Sequence, residues 1–171
     1  MKKPLGIILI VAVLVIALDQ LSKYLVVTYL PRGGAWSPFA GENPLFRIVY
    51  TYNTGVAFGM FKDLGPVFIL IALVISGVIV VYARKLRDDQ WLTCLALGLM
   101  LGGALGNVID RIRLGHVIDF FDIGVGALRN ASNFADWSIV LGVILLGVAT
   151  LLEDRKLKQA KESGAAPRSN S

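Results

Sequence analysis

The chain has 171 residues, of which 56% are hydrophobic and only 17% are charged. A soluble domain of this length carries about 25% charged residues, and the apolar residues here fall in long runs, so the composition excludes an ordinary soluble protein. The net charge of +5 comes mostly from lysines and arginines at the ends of those runs. That distribution is typical of membrane-protein loops and not of a nucleic-acid-binding surface.

Four apolar segments are long enough to cross a bilayer core of about 30 Å. We predict spanning helices over residues 4–28, 64–84, 91–111 and 133–153. The first has the basic start of a signal peptide, but no small-x-small cleavage site follows it, so we expect it to remain as a helix. In the third, Gly98, Gly102 and Gly106 share one face, where another helix can approach closely. Packing within the chain is favoured there over dimerisation.

The connection between the first two helices is predicted to form a small β region over residues 31–62. Leu45–Tyr52 is rich in β-branched and aromatic residues and predicts a strand. A turn follows at Asn53, and residues 56–61 are considered as a returning strand. The chain is thus one membrane-embedded domain over residues 1–155. Residues 156–171 are charged and then rich in small polar residues, and we expect a disordered cytoplasmic tail.

The distribution of basic residues predicts the orientation of the helices. If both termini are cytoplasmic, the inner segments hold ten lysines and arginines in 29 positions, and the outer segments hold six in 54 positions. Basic residues accumulate on the cytoplasmic side of membrane proteins. We therefore expect both termini to be cytoplasmic.

The polar stretch from Asn107 to Asp136 carries most of the candidate functional groups. With a rise of about 1.5 Å per residue, the ends of the helices bring several side chains to one level near the outer face. These side chains are Asp19, Asn107, Asp110, Arg111, Asn133 and Asp136. Asp119 lies in the loop that joins the third and fourth helices. Placing an ionisable side chain within the membrane costs free energy, and the residues found there usually have a function.

Each of these groups also has a simpler structural explanation. Asn133 and Asp136 have the spacing of a helix capping box, and Asp19 and Lys23 have that of an ion pair on one helix face. Asp122 is expected to face water. No metal site is predicted, because the single histidine has no cluster of further ligands around it.

These separate explanations do not account for a loop that returns Asp119 towards Asp136. Two carboxyl groups that share a site hold one proton between them. Such a pair can activate water against an amide bond, with one group as base and the other as acid. A transporter with intramembrane acids and an assembly protein held by its glycine face remain as alternatives.

Five motifs together resemble the bacterial lipoprotein signal peptidases, the signal peptidase II family of membrane aspartic peptidases. They occur in the family's order and span nearly the whole chain: DQLSK at 19–23, YNTGVAF at 52–58, GGALGNVIDR at 102–111, GHVIDF at 115–120 and NFAD at 133–136. The resemblance implies an α-helical integral membrane protein with four transmembrane helices and a small extracytoplasmic β-cradle.

The resemblance also implies roles for individual residues. Asp119 and Asp136 would form the catalytic pair, without a cofactor. Substrate-binding or site-supporting roles would fall to Asp19, Asn53, Asn107, Asp110, Arg111 and Asn133. The enzyme would remove the signal peptide from diacylglyceryl-modified prolipoproteins by cutting before the lipidated cysteine. It would act as a monomer among the lipids of the bacterial cytoplasmic (inner) membrane, with its active site near the outer face.

Overall fold

The computed structural model of the protein describes residues 3–39, 45–53, 64–126 and 128–162. Within these residues, four helices are long and apolar enough to cross a membrane. They are α1 (Lys3–Tyr29), α2 (Gly65–Ala83), α3 (Trp91–Leu114) and α4 (Phe134–Glu162). The four predicted spanning helices are therefore confirmed, and their ends differ from the predicted ones by at most nine residues.

The largest difference lies at the end of α4, which continues to Glu162 instead of ending near residue 153. Its last turns consist largely of glutamate, lysine, arginine and leucine, and these residues favour helix. The helix therefore extends past the apolar segment. Residues 163–171 lie outside the described part of the chain, and the expectation for the rest of the tail stays a prediction.

Helix α3 lies at the centre and packs against all three other helices. Its contacts with α1 and α4 are the most extensive, and α2 packs mainly on α3. Where α1, α2 and α3 meet, a core of buried apolar side chains includes Ile8, Ile79, Leu97 and the single cysteine, Cys94. Large apolar side chains remain exposed along the helices, as expected of surfaces that face lipid.

The four strands form one antiparallel sheet in the order β1-β2-β3-β4. They are β1 (Ala35–Trp36), β2 (Phe46–Asn53), β3 (Val117–Val125) and β4 (Leu128–Ser132). Strand β2 confirms the strand predicted at 45–52. The strand considered at 56–61 falls outside the described residues.

The β region is larger than the predicted span of 31–62, because β3 and β4 come from the segment that was interpreted as a loop between helices. The sequence of β3, VIDFFDIGV, is rich in β-branched and aromatic residues, which favour strands. Gly115 ends α3 in the left-handed conformation, with φ of 75°. That reversal directs the chain back over the end of α3 as β3.

The glycine face of α3 packs within the chain, as favoured from the sequence. An added Cβ at Gly102 would lie 2.6 Å from Val15 Cβ and 2.8 Å from the backbone oxygen of Ala12. At Gly106 it would lie 2.7 Å from Asp19 Oδ2. The glycines therefore set how closely α1 approaches α3, and with it the position of Asp19.

We predict that Gly102→Ala destabilises the protein by about 1–3 kcal/mol, the usual cost of overpacking a tight contact. The new methyl group would meet backbone and a β-branched side chain, neither of which can turn away. Gly147→Ala in α4 is the matched control, because nothing lies within 4 Å of an added Cβ there. The free energy of unfolding in detergent micelles measures both, and equal values would refute the close packing.

Candidate active site

Asp119 and Asp136 line one cavity of about 430 Å³ at the junction of the sheet and the helix ends. Asp119 lies on β3, opposite Thr51 of β2, and is only 4% exposed. Asp136 lies in the first turn of α4. The structure thus brings together the two carboxyl groups that sequence analysis paired.

Asn133 connects these two groups directly. The side-chain oxygen of Asn133 accepts a hydrogen bond of 2.9 Å from the backbone N–H of Asp136. The backbone N–H of Asn133 in turn donates to Asp136 Oδ2 at 3.3 Å. This reciprocal pair is the predicted capping box. The Asn133 amide nitrogen also donates to Asp119 Oδ1 at 2.8 Å. The cap is therefore present, and the same side chain also fixes the position of Asp119.

Asn107 makes the second connection, from α3. Its Nδ2 donates to Asp136 Oδ1 at 2.8 Å. Its Oδ1 accepts from Asn133 Nδ2 at 3.1 Å and from Lys23 Nζ at 3.2 Å. Each carboxyl group in the cavity thus receives a hydrogen bond from a side-chain amide.

Asp19 and Asp110 lie next to this network, outside the lining of the cavity, and both are buried. Asp19 Oδ1 accepts the N–H of Ala135 at 3.0 Å, at the start of α4. Asp110 Oδ2 accepts the N–H of Ile118 at 3.2 Å, in β3. Each carboxylate therefore holds the backbone beside one of the cavity's carboxyl groups.

Lys23 forms a buried charged cluster with Asp19 and Asp110. Lys23 was not among the candidate site residues predicted from the sequence. Its ammonium lies 2.8 Å from both Asp19 Oδ2 and Asp110 Oδ2, and its side chain is 3% exposed. The predicted ion pair with Asp19 is present, and it is buried between the helices. The contact with Asp110 could have been predicted from the sequence, because the positions of Lys23 and Asp110 along α1 and α3 place them at nearly the same depth in the membrane.

Four further polar side chains line the cavity: Arg111, Asn53, and Asn130 and Ser132 of β4. The Arg111 guanidinium lies over the ring of Phe68, 5.5 Å from its centroid. The other walls include Val117, Trp137 and Val140, which are apolar. Trp137 was not singled out from the sequence, because a tryptophan near a helix end is also explained by the membrane interface.

The pKa of Asp119 is raised from 3.8 to about 7. Burial is the largest cause, and the negative charge of Asp136 adds to it. Hydrogen bonds from Asn133 and Asn53 and the charge of Lys23 act in the opposite direction. A carboxyl group with this pKa keeps its proton into the neutral range, which allows it to act as a general acid.

The expectation that Asp122 faces water was wrong. Its side chain is 6% exposed and accepts hydrogen bonds from Arg47 at 2.6 Å and Arg129 at 2.8 Å. Arg47 lies opposite it on β2 and Arg129 extends from β4. The cluster joins the three strands at the middle of the sheet, because the register places both arginines beside one carboxylate.

His116 packs against the ring of Tyr52, with centroids 4.9 Å apart. Among the described residues, no group of three or more histidine, cysteine or acidic side chains is arranged to hold a metal ion.

Five of the eight predicted site residues line the cavity, and Asn133 forms hydrogen bonds with both Asp119 and Asp136. Asp19 and Asp110 lie in the adjacent cluster.

Comparison with known proteins places these features in a family context. The family model described as "Signal peptidase (SPase) II" matches residues 11–152. The lipoprotein signal peptidase of Moorella thermoacetica is 41% identical over 138 residues, covering 81% of this chain and 88% of that protein. That of Geobacter metallireducens is 38% identical over 167 residues, covering 95% of this chain and all of that protein.

Solved structures agree with these matches. One, described as a bacterial membrane enzyme at 2.3 Å resolution, superposes with a TM-score of 0.74 at 28% identity and covers 97% of this chain and 94% of that one. A second, at 1.9 Å resolution, has a TM-score of 0.72 and 32% identity over 85% of this chain and 93% of that one. The matches favour a peptidase over the transporter and assembly-protein alternatives.

We predict that Asp136→Asn lowers the pKa of Asp119, because it removes the neighbouring negative charge, while burial still holds that pKa above 3.8. Carbon-13 NMR of aspartate carboxyl groups in micelles, or pH-difference infrared spectroscopy, follows this titration. Asp154→Asn, in the exposed last turns of α4, is the control and should leave the pKa of Asp119 near 7. Titration of Asp119 near pH 4 in the unsubstituted protein would contradict the assignment.

Proposed function

The chain belongs to the signal peptidase II family, and from this membership and the geometry of the cavity we propose that Asp119 and Asp136 are its catalytic pair. As a lipoprotein signal peptidase, the protein is a multi-pass membrane aspartic endopeptidase that removes the signal peptides of prolipoproteins. The observation that carries the proposal is the hydrogen-bonded connection of both carboxyl groups through Asn133 within one cavity.

In the proposed reaction the two carboxyl groups have different roles. Asp119, with its pKa of about 7, enters protonated. Asp136 enters ionised, because it lies in the first turn of α4, where the helix dipole favours an anion, and it accepts hydrogen bonds from Asn107 Nδ2 and the backbone N–H of Asn133. Asp136 takes a proton from a water molecule as the water oxygen attacks the scissile carbonyl carbon. Asp119 donates its proton to the carbonyl oxygen. Asp136 then gives its proton to the leaving amide nitrogen as the C–N bond breaks, and Asp119 takes back a proton from a hydroxyl group of the tetrahedral intermediate, which leaves the new carboxyl group.

The remaining lining residues have a proposed role in binding substrate. Asn53, Asn107 and Arg111 present polar groups to the cavity, where the peptide backbone of an extended substrate needs hydrogen-bonding partners. The apolar walls at Val117, Trp137 and Val140 suit the hydrophobic end of a signal peptide. The substrate would be the diacylglyceryl-modified precursor, cut before its lipidated cysteine.

We also propose that the enzyme lies in the bacterial inner membrane with both termini cytoplasmic. The cavity lies where the last turns of α3 meet the first turn of α4 and the sheet. The opposite end, between α2 and α3, carries the basic segment 84–90. With basic segments inside, the cavity faces the outer side. We propose that the enzyme acts as a monomer, and a molar mass in detergent that corresponds to one chain would support this.

The catalytic pair is tested by Asp119→Asn and Asp136→Asn. Each substitution keeps the size of the side chain and removes the acid, so we expect processing of a diacylglyceryl-modified precursor by purified enzyme to fall about 100-fold or more. Asp89→Asn, in an exposed loop, is the control and should keep full activity.

In the same series of activity measurements, Arg111→Ala should lose more activity than Arg113→Ala, because Arg113 does not line the cavity.

Normal thermal midpoints and membrane levels would show that the inactive variants are folded. Processing at the unsubstituted rate by either Asp119→Asn or Asp136→Asn would reject the pair. Equal and small losses for the two arginine variants would remove Arg111 from the substrate site.

The orientation is tested by labelling single cysteines in a Cys94→Ala background. Ala35→Cys lies at an exposed position of β1, and Asp88→Cys lies at an exposed position between α2 and α3. We expect a membrane-impermeant maleimide to label the first in intact spheroplasts and the second only after lysis. The reverse pattern would place the cavity on the cytoplasmic side and refute the proposed orientation.

A further inference from the structure

Lys23 is a buried cation to which the proposed reaction gives no role. Its ammonium has three donors and lies within hydrogen-bonding distance of three acceptors: Asp19 Oδ2 at 2.8 Å, Asp110 Oδ2 at 2.8 Å and Asn107 Oδ1 at 3.2 Å. The first two contacts balance charge within the cluster. The third reaches the neutral amide of Asn107, which itself donates a hydrogen bond to Asp136.

The contact with Lys23 fixes which way the Asn107 amide faces. An ammonium only donates hydrogen bonds, whereas an amide has one accepting end and one donating end. The oxygen of Asn107 must therefore face Lys23, and its nitrogen then faces Asp136 Oδ1 at 2.8 Å. A flipped amide would place its N–H groups against the ammonium and against Asn133 Nδ2, and would turn its oxygen towards the Asp136 carboxylate.

This orientation makes the hydrogen bonds run in one direction, from Lys23 through Asn107 to Asp136. The Asp136 oxygen that receives the Asn107 N–H can only accept, so the bond stabilises the ionised carboxylate. Asp119 keeps the proton, in agreement with its pKa of about 7. A flipped amide would instead accept a hydrogen bond from a protonated Asp136, and would thereby favour the proton on Asp136.

We propose that Lys23 is a positioning residue for the peptidase reaction, which acts through the Asn107 amide to keep Asp136 ionised and leave the shared proton on Asp119. The proposal rests on the assignment of Asp119 and Asp136 as the catalytic pair. It goes beyond an ion pair that only holds α1 against α3, since it predicts an effect on the protonation of the pair.

The test must separate three effects: folding, charge and amide orientation. The titratable or charged groups near the pair are Asp19 and Lys23 on α1, Asp110 and Arg111 on α3, Asp119 on β3 and Asp136 on α4. Lys23→Met alone would leave two carboxylates buried without a cation, which is strongly destabilising. All variants therefore carry Asp110→Asn, so that adding Lys23→Met restores the cluster's original total charge.

The experiment is a double-mutant cycle of Lys23→Met and Asn107→Leu in the Asp110→Asn background, with kcat, KM and the pH dependence of kcat measured for a diacylglyceryl-modified precursor. Activity requires one ionised acid, so the acidic limb of the profile reports loss of that charge. We expect Lys23→Met to lower kcat about tenfold or more, with little change in KM, and to move the acidic limb about one pH unit upwards. Asn107→Leu should move it in the same direction.

The distinguishing result is that the shift from Lys23→Met largely disappears when Asn107→Leu is present, because the amide that transmits it is gone. A shift of equal size in both backgrounds would mean that Lys23 acts by its charge alone, and would overturn the proposal. Unchanged pH limbs with a lower thermal midpoint would reduce Lys23 to a structural residue, with the same consequence.

Lys23→Arg gives a second reading if the methionine variant does not fold. Arginine keeps both the charge and the donor, so the acidic limb should stay where it is in the Asp110→Asn enzyme even if the thermal midpoint falls. A limb that moves as far as in Asn107→Leu would contradict the proposal. Failure of the catalytic pair itself would appear separately, as activity retained by Asp119→Asn or Asp136→Asn.

Discussion

The structure depends on the pairing of charges that α1 and α3 bury between them. Removing a carboxylate or an ammonium from water costs several kcal/mol unless partners replace the lost hydration. Here Asp19, Lys23 and Asp110 supply those partners to one another, together with Gln20 and backbone N–H groups. Among the described residues, no buried side-chain nitrogen or oxygen lacks a hydrogen-bond partner.

That pairing is possible only because the helices approach closely. Gly106 leaves room for the Asp19 carboxylate against α3, and Gly103 leaves room for the backbone of α4 at Ala135. Asp19 then accepts the N–H of Ala135, so one carboxylate joins α1 to the start of α4. The glycines and the charged cluster therefore act together to fix the start of α4 at Ala135, and with it the next residue, Asp136.

The sheet positions the second carboxyl group by a comparable arrangement. Asp110 holds the N–H of Ile118 beside Asp119, and Asp122 joins β2 and β4 to β3 through Arg47 and Arg129. Both acids of the proposed catalytic pair are therefore held by other buried acids. Their different surroundings allow two neighbouring carboxyl groups to differ in their affinity for a proton, and that difference underlies the proposed reaction.

The sequence by itself determined the four spanning helices, the packing face of glycines and the strand at 45–52, because these follow from local composition and helical periodicity. The pairing of Asp119 with Asp136 came from the family motifs, since depth along a helix places Asp136 but not Asp119, which lies in the connection between α3 and α4. The tertiary structure decided the rest, since strand register and amide orientation depend on partners far apart in the chain. Asp122 became buried because the register places two arginines beside it, and Lys23 joined the site because Asp110 and Asn107 of α3 lie within reach of its ammonium.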